Sequence, residues 1–154
     1  MATNRSGVVA APGPVMVAVG WVAVVLGGLV AAVTGPFDWT KGSWAAAYLV
    51  LVVGAAQYAM GRRHPAGPPP DRPGWAQLAG WNLGSLLVIG GTLVTTPLLV
   101  DLGSVLLVVA LALALRGDLQ GPEPAAWVTW AYRAMLLVLL MSIPIGIVLS
   151  HLRS

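Results

Sequence analysis

WAQLAGWNLGSLLVIGGTLVTT, residues 75–96, is long and apolar enough to cross a bilayer, yet it carries Gln77, Asn82, Ser85 and Thr92 together with Gly80, Gly84, Gly90 and Gly91. Lipid cannot hydrogen-bond an amide and gains little surface from glycine, so a helix bathed only in acyl chains has no use for either. On a helix, Gln77, Gly80, Gly84, Val88, Gly91 and Thr95 fall near one face, with Asn82, Ser85, Ile89 and Thr92 close beside it. This spacing predicts a central helix with other helices packed closely around it.

Downstream, Asp101 is the only charge between Trp75 and Leu115. A single helix of that length would reach about 60 Å, twice the hydrocarbon thickness. The chain must therefore fold back, and Thr95-Thr96-Pro97 is where it can, because threonine caps helices and proline is tolerated at a first helical position. Spans are expected at 75–95 and 97–115. Arg116 to Glu123 reads as a short polar loop, with Pro124 opening a last span over 125–150. Trp127, Trp130 and Tyr132 form its interfacial collar, and Pro144 is expected to kink it.

Upstream, GRRHPAGPPPDRPG (61–74) reads as an extended, polyproline-like link. Its Pro65–Pro68 spacing fits a PxxP docking motif, although a plain loop explains it as well. A span at 44–60 precedes it, with Trp39, Trp44 and Tyr48 as its aromatic anchors and Gln57 as its one amide. GPFDWTKGS (35–43) is a turn, and a first span occupies 14–34. That span is longer than the apolar core of a signal peptide and lacks a clear cleavage site, so it is expected to be retained. Gly20, Ala23, Gly27 and Ala31, with Gly28 alongside, give it a small-residue stripe suited to helix packing. Residues 1–13 and 151–154 are expected to be tails, the first of them disordered. The expected fold is thus an all-α membrane protein: one domain, a bundle of five transmembrane helices with the third central and the loops short.

Composition agrees. The 154 residues are 58% hydrophobic and 8% charged, with a mean hydropathy of +0.85, whereas a soluble domain carries about a quarter charged residues. The net charge of +3 is scattered, without the dense basic stripe that a nucleic-acid backbone requires. The absence of cysteine excludes disulfides, thiolate metal sites, iron–sulfur clusters and cysteine nucleophiles. The bias to Ala, Val, Leu, Gly, Pro and Arg, with a single lysine, reads as a high-GC bacterial coding sequence. Five crossings would put Arg5, Arg62, Arg63, Arg72, Arg116 and Arg133 on the side of the N-terminus, against Lys41 and Arg153 on the other. The positive-inside rule then gives a multi-pass protein of the cell (inner) membrane, N-terminus cytoplasmic and C-terminus outside.

Asp101 is the sharpest chemical candidate, since an intramembrane carboxylate can bind a cation or relay a proton. Against that, it lies about one turn into its helix, where the helix dipole favours an anion and water is near. Arg133 is expected to snorkel beside Trp130 and Tyr132, because Asp101 would lie about 10 Å away in depth. Gln57, Asn82 and Thr92 can line a solute path or simply hydrogen-bond neighbouring helices. Gly20, Gly27, Gly28, Gly80, Gly84 and Gly91 are the candidate packing positions. His64 and His151 fall at opposite ends, so no joint metal or haem site, no cofactor and no serine–histidine catalysis are expected. A weak repeat joins VLGG (25–28), Pro36 and Gly42-Ser43 to VIGG (88–91), Pro97 and Gly103-Ser104. The leading functional expectation is a non-enzymatic packing or accessory subunit, in a homo-oligomer or a larger membrane complex. The alternative is a small solute or ion transporter or channel component.

Overall fold

The computed structural model describes residues 11–65, 71–120 and 126–152. Among these, every regular element is helical: α1 (Pro12–Thr34), α2 (Gly42–Arg63), α3 (Arg72–Leu93), α4 (Pro97–Gln120) and α5 (Ala126–Leu152). The N-terminal tail, the proline run 66–70 and the stretch holding Glu123 and Pro124 lie largely outside the described residues. Helix α1 begins two residues before its expected start, because Pro12 is already suited to a first helical turn. Helix α4 runs to Gln120, five residues past Leu115, so Arg116, Gly117 and Asp118 are helix and not loop. Helix α5 continues past Pro144 to Leu152.

Helices α1, α2 and α4 are long and apolar enough to cross a membrane, and α5 is apolar over Ala126–Met141. Helix α3 has the length but falls short in apolarity, diluted by the same amides and glycines that mark it. It turns them inward: Gly74, Gln77, Leu78, Trp81, Gly84, Ser85, Val88 and Gly91 are buried.

Two glycine-closed hairpins make up most of the molecule. Between α1 and α2, a Cβ on Gly20 would lie 2.9 Å from both the Gly54 carbonyl oxygen and the Tyr58 nitrogen, and one on Gly27 would lie 2.6 Å from Val50 Cγ2. Between α3 and α4, a Cβ on Gly84 would meet the Gly103 carbonyl at 2.8 Å, and one on Gly103 would meet the Gly84 carbonyl at 2.6 Å. Helix α5 leans on α4, and the shared core gathers Met60 of α2, Trp81 and Val88 of α3, Leu107, Ala110 and Leu111 of α4, and Tyr132 and Leu136 of α5.

The positions matched by the weak repeat do not play the same part in the two hairpins. Gly42 opens α2, whereas Gly103 lies well inside α4 against Gly84. In the first glycine pair Gly27 packs and Gly28 faces open space; in the second, Gly90 is open and Gly91 packs. Helix α2 also contains a π-helical stretch, Leu49–Ala56, directly before Gln57. Such stretches admit an extra residue per turn and rotate everything that follows. The α3–α4 turn places Thr95 at φ 56°, and the Thr95 and Thr96 hydroxyls both donate to the Val94 carbonyl. The threonines therefore close the end of α3, instead of capping the start of α4 as expected.

Candidate functional site

The inward stripe of α4 runs Leu107, Leu111, Ala114 and Asp118, all buried. Continuing that spacing past the apolar segment delivers a carboxylate to the protein interior. The Asp118 side chain is 1% exposed and bridges two arginines from two other helices. Arg63, in the last turn of α2, donates to Oδ1 through Nε at 3.0 Å and through Nη2. Arg133 of α5 donates to Oδ2 through Nε at 3.1 Å. The Arg63 guanidinium also lies 5.1 Å from the centre of the Tyr132 ring, a cation–π contact. Two positive charges against one negative leave this junction with a surplus of one. Arg63 is largely buried, and its Nη1 has no acceptor.

The same end holds a second pair. His64 Nε2 lies 2.6 Å from Asp71 Oδ2, and Oδ1 of the same carboxylate accepts from the Gly74 N–H at 3.0 Å, capping α3. Burial pushes the Asp71 carboxyl up, but the His64 hydrogen bond, the Gly74 amide and the imidazole charge outweigh it and hold it below the usual carboxylate range. A lowered folded pKa means that the clamp is complete above the unfolded carboxyl value of about 3.9 and is lost only as pH falls through the lower folded value. The Gly74 amide resonance should accordingly titrate with a midpoint below that of free aspartate; a midpoint at or above it would remove the clamp.

At the opposite end, Lys41 Nζ donates to the Thr92 carbonyl at 2.5 Å and to the Leu93 carbonyl at 3.3 Å. It satisfies carbonyls that the end of α3 leaves open, and favours the negative end of that helix dipole. The single lysine thus ties the first hairpin to the second.

The sequence candidates are dispersed. Gln57 is buried between helices, with neither amide atom hydrogen-bonded. Asn82 donates to Leu78 and Thr92 to Val88, each back onto its own helix, at 2.8 and 2.7 Å. Asp101 is half-buried in the second turn of α4. Arg133 meets Asp118 rather than Asp101 or solvent alone. A Cβ on Gly80 would lie 3.6 Å from the Leu106 carbonyl oxygen, and one on Gly28 would meet nothing within 4 Å. Between the hairpins lies a cavity of about 190 Å³ whose polar lining is Asn82 and Ser85. Tyr48 approaches Ser85 without hydrogen-bond geometry, and Tyr48 Oη, Ser85 Oγ and Trp81 Nε1 are buried and unbonded. Gln77 makes one weak contact, to Met60 Sδ at 3.5 Å. Among the described residues no group of three or more metal-ligating side chains gathers. Asp118 is hidden in the sequence because its neighbours Arg116 and Gly117 resemble a loop; the 107–111–114–118 spacing is the signal that marks it.

No family model matches the chain, and no curated protein or solved structure is similar to it.

Proposed function

We propose that the chain is a five-span integral protein of the cell (inner) membrane, N-terminus cytoplasmic, acting without catalysis as an assembly or accessory subunit. The observation that carries this reading is an open groove of about 530 Å³ along α1 and α2, lined by Gly27, Gly28, Ala31, Ala46 and Ala47 among others. Gly20, Gly27, Gly84 and Gly91 are already consumed inside the chain's own hairpins. Gly28 is not, and a wall of small side chains lets another transmembrane helix approach backbone to backbone. Its occupant would be a helix of a second copy or of a larger membrane complex. Because a side chain at position 28 meets open space, Gly28→Leu should keep the fold and block docking. Native mass spectrometry of the detergent-extracted protein should then show loss of the assembled species with unchanged helix content. An assembly that survives Gly28→Leu intact would remove the groove from this role.

Topology is tested separately in the cysteine-free background. Phe37→Cys and Thr95→Cys should label from outside, and Arg62→Cys and Leu119→Cys from the cytoplasm.

One observation favours a second reading, a small solute or ion path. Gln57, Ser85, Tyr48 and Trp81 place unbonded polar atoms between the two hairpins, and buried polar groups left unpaired in apolar surroundings are costly unless something is bound there. On this reading Gln57→Leu abolishes a measurable flux while the protein stays folded, whereas on the first reading it leaves assembly unchanged.

A further inference from the structure

The arginine junction lies where α2 and α4 end and α5 begins, and among the described residues its charge is not balanced. Asp118 takes Nε and Nη2 of Arg63 and Nε of Arg133, which uses both carboxylate oxygens. Arg133 is engaged in these contacts through Nε alone, and its side chain is 38% exposed. The outer end of its guanidinium is therefore the part of the junction that a ligand can reach. Trp130, three residues earlier on the same face of α5, is 75% exposed, as is Trp127 a turn before it. Indole rings at this position seek the headgroup layer of a bilayer. Arg62, Arg72 and Arg116 are exposed at the same end of the helices. Among the described residues there, five arginines face only Asp71 and Asp118.

We infer that Arg133, held in place by Asp118 and backed by the charge of Arg63, binds the phosphate of an acidic phospholipid at the rim of α5, with Trp130 against the headgroup region. The chemistry is a planar guanidinium presenting paired N–H donors to a phosphate monoanion, a match that a zwitterionic lipid serves less well because its own ammonium competes. Asp118 is a positioning residue: it fixes the Arg133 Nε and leaves the far nitrogens pointing outward. The bound anion brings the trio of Arg63, Asp118 and Arg133 to neutrality, which the described residues alone do not do.

The experiment uses the full chain, washed in mild detergent and titrated with phosphatidylglycerol or phosphatidylcholine, with bound lipids counted by native mass spectrometry. One phosphatidylglycerol should be retained preferentially. Arg133→Gln should weaken it about tenfold, the loss of one charge-assisted contact, because Arg63 still holds Asp118 and the fold persists. Equal retention of the two lipids, or an unchanged affinity in Arg133→Gln, would overturn the inference. Millimolar inorganic phosphate should not displace the lipid; displacement would make this a site for a free oxyanion and overturn the lipid assignment. Should Arg133→Gln fail to fold, the wild-type protein decides alone. Its melting temperature should rise with phosphatidylglycerol over phosphatidylcholine, and no difference would count against the site. The inference rests on the helices lying in a bilayer, a premise checked separately by vesicle flotation: protein left in the aqueous fraction would fail the membrane reading before any headgroup preference is measured.

Discussion

Asp118→Ala should lower the stability of the protein by about 3–5 kcal/mol, the range for leaving buried charge without its partner. The reason is geometric. Arg63 and Arg133 converge on one carboxylate that is almost wholly buried, so its removal leaves two guanidinium groups facing each other, with Arg63 largely shielded from water. Arg133→Gln should be much milder, since the pair that remains is neutral. The junction joins α2, α4 and α5, so the loss should appear as a lower melting temperature and early proteolysis at the α4–α5 connection. Replacing all three residues together, as Arg63→Met, Asp118→Leu and Arg133→Met, should restore most of the stability, because an apolar trio of similar volume needs no partners. If Asp118→Ala melts like the wild type, the ion cluster contributes nothing to the fold.

Gly84→Leu should be comparably severe, and for a different reason. The first side-chain carbon added at Gly84 would sit 2.8 Å from the Gly103 carbonyl, and Gly103 meets Gly84 in the same way. Backbone faces backbone, so no side chain can swing aside. Helices α3 and α4 must separate, with a cost at or above about 3 kcal/mol, the upper part of the range for overpacked cores. Gly90→Leu is the internal control: it lies on the same helix, a Cβ there would meet nothing within 4 Å, and the variant should melt like the wild type. Equal behaviour of the two variants would mean that the hairpin is not closed by glycine. Gly84 therefore tests folding, whereas Gly28 tests the proposed assembly.

The apolar stretches and the inward face of α3 could be read from the chain because hydropathy and the helical period act locally. Gln77, Ser85, Val88 and Gly91 share one side of α3 for the same reason that they share a register. What the sequence concealed was set by geometry between segments. Arg116, Gly117 and Asp118 resemble a polar loop, and only the continuation of α4 turns the aspartate inward. Arg133 has two aspartates to choose from along the chain, and which one it meets depends on where α4 ends. The π-helical stretch of α2 is a third case. Nothing in Leu49–Ala56 announces the extra residue per turn. The apolarity of α3 falls below that of the other long helices, because residues that serve contact with protein count against contact with lipid.

The lone lysine gives the joint between the hairpins a chemical address. Every other basic side chain except the histidines is an arginine, and guanidinium groups ignore acylating reagents at neutral pH. Apart from the α-amino group, a single primary amine therefore stands for the whole protein, and it is occupied by the carbonyls of Thr92 and Leu93. Its rate of acylation becomes a readout of how often the two halves part company at that end, obtained without a tag or a mutation.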